Sequence, residues 1–185
     1  MNTSEQVTTT DVLIIGAGIA GISAAYHLKK YRPNSSFLIL EGREKIGGTW
    51  SLFRYPGIRS DSDMQSFAFG FKPWTEKRTF GSAQMICDYL QETLTENGID
   101  QHIQFNSYVT SAEFSSCEGM WTVIVKQKDK KDLVTLRSRF LLMGTGYYDY
   151  NNGYSPEFQG SKDFKGQIVH PQHWPENLDY SGKKV

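Results

Sequence analysis

Residues 11–41 read DVLIIGAGIAGISAAYHLKKYRPNSSFLILE, and this stretch decides the fold. Asp11 to Ile15 end in a continuous apolar run, as a strand buried on both faces requires. Gly16 to Gly21 follow. From Ile19 to Tyr31 small and apolar residues return at helical spacing: Ile19, Ile22, Ala25 or Tyr26, and Leu28. Lys29, Lys30 and Arg32 gather where the helix should end, and cations suit the negative end of its dipole. Pro33 stops it. Phe37 to Leu40 make a second apolar strand, closed by Glu41. Two apolar strands joined by a helix form a β-α-β unit, so the fold class is α/β with a parallel sheet.

The turn inside this unit carries chemistry. GAGIAG, Gly16 to Gly21, is a G-x-G-x-x-G. Alone it is weak; here it follows a strand, opens a helix, and has an acid about 20 residues further on at the end of the next strand. Gly16 permits the tight turn, Gly18 lets a diphosphate approach the backbone, and Gly21 lets helix and strand lie close. The open helix end offers amide donors and positive potential to phosphates. Glu41 is placed to accept hydrogen bonds from ribose hydroxyls. The expected ligand is a dinucleotide, FAD or NAD(H).

Downstream, EKIGGTWSLFRYPGIRSDSD (residues 44–63) fits neither an amphipathic helix nor an alternating strand. Gly47 and Gly48 would let a second length of backbone close over a bulky cofactor, with Trp50 as a flat wall. Ser82 to Asn97 reads as a helix, with Ile86, Tyr89 or Leu90, and Leu94 on one face and Asn97-Gly98 as its stop. Residues 102–105 look like a short strand. Segments 107–114, 120–127 and 132–137 have β character and turn-forming links, which suggests an antiparallel meander. Residues 139–143, FLLMG, read as a return to a buried strand. A meander in place of a crossover helix favours FAD over NAD. The tract 144–182, rich in Gly, Tyr, Asn and Pro, looks like a connection.

Composition narrows the rest. The chain has 185 residues, 38% hydrophobic and 22% charged, enough for one globular core. A formal net charge of zero removes the electrostatic case for nucleic acid. The N-terminus is polar, and the first apolar run is broken by glycines, so neither a signal peptide nor a membrane span is read. Cys87 and Cys117 are far apart and form no C-x-x-C, so they read as free thiols in a reduced, cytoplasmic setting. His170 and His173 stand three apart but lack the further ligands a metal site needs, and no metal is expected.

Two longer strings point to a family. Gly47, Gly48, Trp50, Tyr55, Pro56, Gly57 and Asp61 match the pattern G-G-x-W-x-x-x-x-[FY]-P-G-x-x-x-D of Baeyer–Villiger monooxygenases. FKGQIVHPQHWP, through Phe164, Gly166, His170, Trp174 and Pro175, resembles the same family's F-x-G-x-x-x-H-x-x-x-W-[PD] fingerprint. Within that family FRYPGIRSDSDM and HPQHWPENLDY look closest to the ethionamide-activating and long-chain alkane types.

The resemblance implies a Rossmann-like FAD-binding domain of the glutathione-reductase type, a parallel sheet with a β-meander insertion, truncated before an NADPH-binding domain. It implies a flexible N-terminus at 1–10, the first part of the FAD domain at 11–146, an interdomain linker at 147–182, and the start of the next domain at 183–185. FAD would be held by Gly16, Gly18, Gly21, Glu41, Gly47, Gly48, Thr49, Trp50, Tyr55, Asp61, Val109, Gly144, Thr145 and Gly146. Asp61 would help position a distant arginine, and His170 would couple domain movement; these two are the candidate catalytic residues.

The activity implied is insertion of one oxygen atom from O2 into a ketone or related small hydrophobic substrate, through a flavin C4a-peroxide formed at the expense of NADPH, with no integral membrane association. Two alternatives stand beside it. One is a different FAD-dependent oxidoreductase, of which the disulfide reductases fail for want of a cysteine pair. The other is a non-catalytic FAD-binding module, because the sequence holds one dinucleotide fingerprint.

Overall fold

A computed structural model describes residues 7–184. Strand β1, Thr8–Ile15, leads through the glycine turn into helix α1, Ile19–Tyr31, and back through β2, Phe37–Leu40. The strands pair in parallel, Val12 against Phe37 through Ile15 against Leu40. Residues 8–10 thus belong to the sheet; of the expected flexible segment 1–10, residues 1–6 lie outside the described residues. Val185, read as the first apolar residue of a further strand, lies outside them too.

Ile22 and Ala25 turn the buried stripe of α1 onto one face of the sheet, where Val12, Ile14 and Ile39 meet them. Helix α4, Ala83–Glu96, covers the same cluster with Ile86, Tyr89, Leu90 and Leu94. Its ends follow the sequence. Ser82 Oγ accepts from the Met85 amide at 3.3 Å, and Gly98, at φ +54°, leads the chain out. A turn of 3-10 helix, Asp100–His102, then feeds the two-residue strand β3, Ile103–Gln104, onto β2. Short helices α2, Thr49–Leu52, and α3, Met64–Phe67, interrupt the irregular segment between β2 and α4.

That segment is held down by aromatic packing rather than by a ladder. The Phe71 ring stacks on Tyr26 of α1 at 3.5 Å between centroids and on Phe69 at 4.8 Å. Tyr89 of α4 ties both ends of the turn: the Phe69 amide donates to its Oη at 2.8 Å, and Oη donates to the Lys72 carbonyl at 2.6 Å.

The meander comprises β4, Ser107–Ser115, β5, Met120–Gln127, and β6, Val134–Met143. One expectation fails here. Segments 132–137 and 139–143 are not two strands but one, β6. It pairs antiparallel with β5, from Val134 against Val125 to Ser138 against Trp121. It also pairs parallel with β1, from Leu136 against Thr8 to Met143 against Ile15. Arg137, Ser138 and Arg139 break the apolar run, but Ser138 has ladder partners on both sides, Thr10 and Trp121, and these carry the strand through. Nor is 139–143 uniformly buried: Phe140 is 66% and Met143 61% exposed.

The six strands among the described residues form one sheet in the order β3-β2-β1-β6-β5-β4. A register shift between Val109 and Ser111 bends β4. The meander curls so that Val109, Val123, Val125 and Leu136 cluster with Leu13 and Leu40. Ser107 donates its amide to the Glu41 carbonyl at 2.8 Å, which sets the start of β4 beside the end of β2. No helix among the described residues is long and apolar enough to cross a membrane.

Candidate functional site

The carboxyl ends of β1, β2 and β6 open into a cleft of about 520 Å³, where ligands sit in open α/β sheets. Its floor is the glycine turn. Gly16 has φ +101°, and a Cβ there would lie 2.5 Å from the Gly144 carbonyl oxygen. A Cβ on Gly21 would lie 1.9 Å from the Gly16 carbonyl oxygen. Gly21 therefore supports the turn from behind and does not line the cleft. The Gly144 amide closes the packing with a 2.8 Å bond to the Ile15 carbonyl. The N-terminus of α1 has Gly18 as its cap, no side-chain acceptor and no acid in its first turn. Its amides are left for a ligand, as an anion-binding helix end requires.

The second glycine turn meets the first. A Cβ on Gly48 would stand 3.2 Å from the Cα of Gly18, and the Gly47 amide donates to the Ala17 carbonyl at 3.0 Å. Two lengths of bare backbone thus flank one channel. Thr49 and Trp50, opening α2, extend its wall. The Trp50 ring stands edge-on to Phe67, centroids 5.5 Å apart.

Glu41 is only 8% exposed. Its carboxylate accepts the Ala17 amide at 2.8 Å and the Arg43 amide at 3.0 Å. It therefore ties the glycine turn to the end of β2 besides facing the cleft, and a carboxylate so engaged keeps lone pairs for a ligand hydroxyl.

Of the sequence-derived candidates, Gly16, Gly18, Glu41, Gly47, Gly48, Thr49, Trp50, Val109, Gly144, Thr145 and Gly146 line this cleft together. Tyr55, Asp61 and His170 do not. Tyr55 stands edge-on to Phe53, which in turn meets Tyr148 at the rim. Asp61 is exposed and makes no hydrogen bond to the described residues. The Tyr148 hydroxyl is pushed up by a hydrogen bond with Tyr147, then by burial and by the charges of Tyr147, Tyr55 and Asp61, so the Asp61 carboxylate is felt at the rim. His170 lies in the connecting tract. Its Nε2 bonds the Tyr154 carbonyl at 3.1 Å, and its Nδ1 accepts the Gln172 amide at 3.1 Å. Together these bonds place the proton on Nε2 and make His170 a staple of the tract.

Sequence reading missed several lining residues, among them Arg43, Leu52, Tyr108, Tyr148 and Tyr150. Arg43, two residues past the acid, was legible as a cation near a phosphate site. Tyr148 and Tyr150 were not, because only the course of the chain after β6 brings them back over the cleft. Cys87 underlies the Gly47 turn, and burial pushes its thiol up, which leaves it protonated and inert.

The family described as an NAD(P)-binding Rossmann-like domain matches residues 14–80. The chain is 53% identical over 175 residues to the FAD-containing monooxygenase EthA of Mycolicibacterium smegmatis, an alignment covering 95% of this chain and 35% of that protein. It is 51% identical, with the same coverage, to the EthA of Mycobacterium tuberculosis. It thus spans about a third of the length of the curated relatives it matches. Among solved structures, an oxidised steroid monooxygenase bound to NADP superposes with TM-score 0.75 at 30% identity, over 95% of this chain and 33% of that one. Cyclohexanone monooxygenase in an open form gives 0.77 at 27%, over 94% and 33%. By sequence the chain is a homologue of the FAD-containing monooxygenases, and by fold it matches about a third of a Baeyer–Villiger monooxygenase.

Proposed function

We propose that this chain is the FAD-holding part of an NADPH-using flavin monooxygenase that inserts one oxygen atom of O2 into a ketone or related hydrophobic substrate. The observation that carries the reading is the channel between two glycine turns, Gly16–Gly18 and Gly47–Gly48, at an uncapped helix end with a buried acid beside it. The relatives' names support the choice of FAD over NAD. Residues 11–146 supply most of the cofactor cleft, which Tyr148 to Asn151 complete, and 147–182 lead on toward a region that binds NADPH.

In this reading the α1 amides and the backbone at Gly18 and Gly48 take the diphosphate, and Glu41 takes the adenosine ribose. Trp50, with Thr145 and Gly146, lines the continuation of the cleft. When bound, the flavin supplies the electron transfer and oxygen activation; the chain supplies orientation and excludes water. Asp61, near the rim aromatics, is a positioning residue, and His170 transmits movement of the connecting tract.

Titrating FAD into the purified chain tests the reading. Quenching of flavin fluorescence to a saturating value is expected, and FAD that stays free at micromolar protein refutes it. A second reading, an FAD-binding module without turnover, is favoured by the presence of one G-x-G-x-x-G in the sequence. Addition of NADPH to the flavin-loaded chain tests the second: a yellow colour that persists agrees with binding without turnover, and bleaching refutes it.

A further inference from the structure

Neither the glycine fingerprint nor the acid accounts for Arg43 and Tyr150, which reach the same point of the cleft from opposite sides. Arg43 follows β2, and Tyr150 follows β6. The charged residues lining the cleft are Glu41, Arg43 and Asp149, so Arg43 is the one cation among the described lining residues, set against two carboxylates. A doubly anionic diphosphate entering such a cleft gains from that cation beyond what the α1 amides supply.

Its side chain is already aimed. An Arg43 Nη2 bond to Ser51 Oγ and a 3.2 Å bond from Ser51 Oγ to the Gly48 carbonyl tie the guanidinium to the second glycine turn. Arg43 Nε is buried with no hydrogen-bond partner among the described residues, and such a donor is costly unless something satisfies it. The guanidinium carbon lies 5.3 Å from the centre of the Tyr150 ring.

The Tyr150 hydroxyl stands 3.6 Å from where a Cβ on Gly48 would be. It is therefore beside the seam where Gly18 and Gly48 face each other, and no bond to the described residues engages it. Burial pushes its pKa up against the opposing pull of Arg43, with the Glu41 charge adding to the rise, so the phenol is a neutral donor. The loop that carries it is fixed on both sides. Gln172 Nε2 donates to the Asp149 carbonyl at 2.8 Å, and the Asp149 carboxylate accepts the amides of Asn151 at 2.9 Å and Asn152 at 3.1 Å.

We infer that Arg43 and Tyr150 form a clasp across the two glycine turns, the guanidinium neutralising the cofactor's diphosphate and the phenol donating to it, so that the pair governs how slowly the cofactor leaves. The inference rests on the dinucleotide reading of the cleft.

The test uses ADP, which carries the diphosphate half, adenosine, which lacks it, and FAD, each titrated calorimetrically into the full chain. ADP is expected to bind the unaltered chain more tightly than adenosine. Arg43→Gln should weaken ADP about tenfold and leave adenosine unchanged, and Arg43→Lys should recover part of the loss. Tyr150→Phe, which keeps the ring over the guanidinium, should speed FAD release several-fold with the thermal midpoint unchanged. Arg43→Gln binding ADP like the unaltered chain overturns the clasp, and so does an equal loss for adenosine, which marks a merely structural arginine. ADP binding with these differences but without FAD binding supports the clasp and refutes the flavin reading. Binding of neither overturns both.

Discussion

At the scale of single residues the site is governed by what is missing from Gly21. A Cβ there would sit 1.9 Å from a backbone oxygen, not from the movable end of a side chain. Gly21→Ala must therefore part α1 from the turn at Gly16. We expect a loss of about 3 kcal/mol in urea unfolding, at the upper end of overpacking costs, together with loss of FAD binding. Retained stability would show that the helix can shift without harm.

Asp149 gives a pH prediction at the same scale. The amides of Asn151 and Asn152, then the Asn152 side chain, hold its carboxyl below the ordinary 3.8, with desolvation opposing. A group whose folded pKa is depressed contributes stability above its unfolded pKa, and that contribution is lost as pH falls through the folded value. Order in the Tyr150 loop should therefore persist at pH 5 and be lost below 3.8. Tyrosine fluorescence of the unaltered chain against Asp149→Asn, which should show no such acid step, checks this.

At the scale of elements, α4 does more than cover the sheet. Tyr89 fastens the turn at 69–72 by bonds at 2.8 and 2.6 Å, and its ring packs 5.6 Å from Phe69. Tyr89→Phe keeps the packing and strands the buried Phe69 amide. An unmet buried donor costs about 1–3 kcal/mol, so the unfolding midpoint in denaturant should fall without a change in slope. An unaltered midpoint would mean that water replaces the hydroxyl.

The sequence anticipated α1 and α4 to within a residue or so, because period, cap and stop residues are local signals. It misdivided β6, because the polar run Arg137 to Arg139 looks like an ending. Only the ladder partners on both sides of Ser138 show that the strand continues.

At the scale of the whole molecule, the tract after β6 closes one side of the cleft. His170 bonds the Tyr154 carbonyl, and its ring fills the space beside Gly153, where a Cβ would come within 2.3 Å of it. Gln172 reaches back to Asp149. His170→Ala should raise amide hydrogen exchange across residues 149–154 and leave that of β1 unchanged. Equal protection in both would remove the staple from the account.

What the sequence by itself determined is the parallel β-α-β unit, its glycine turn with Glu41 at the next strand end, and the second glycine pair before Trp50. Each rests on nearest-neighbour physics: helical period, the steric freedom of glycine, and a charge placed at a strand end. Only the tertiary structure decided that β6 joins meander to parallel sheet, that Tyr55, Asp61 and His170 stand off from the cleft, and that Arg43 and Tyr150 meet over Gly48. Those outcomes depend on pairings between residues tens of positions apart. Such pairings are settled by shared hydrogen bonds and packing surfaces, which leave no periodic trace in any one segment.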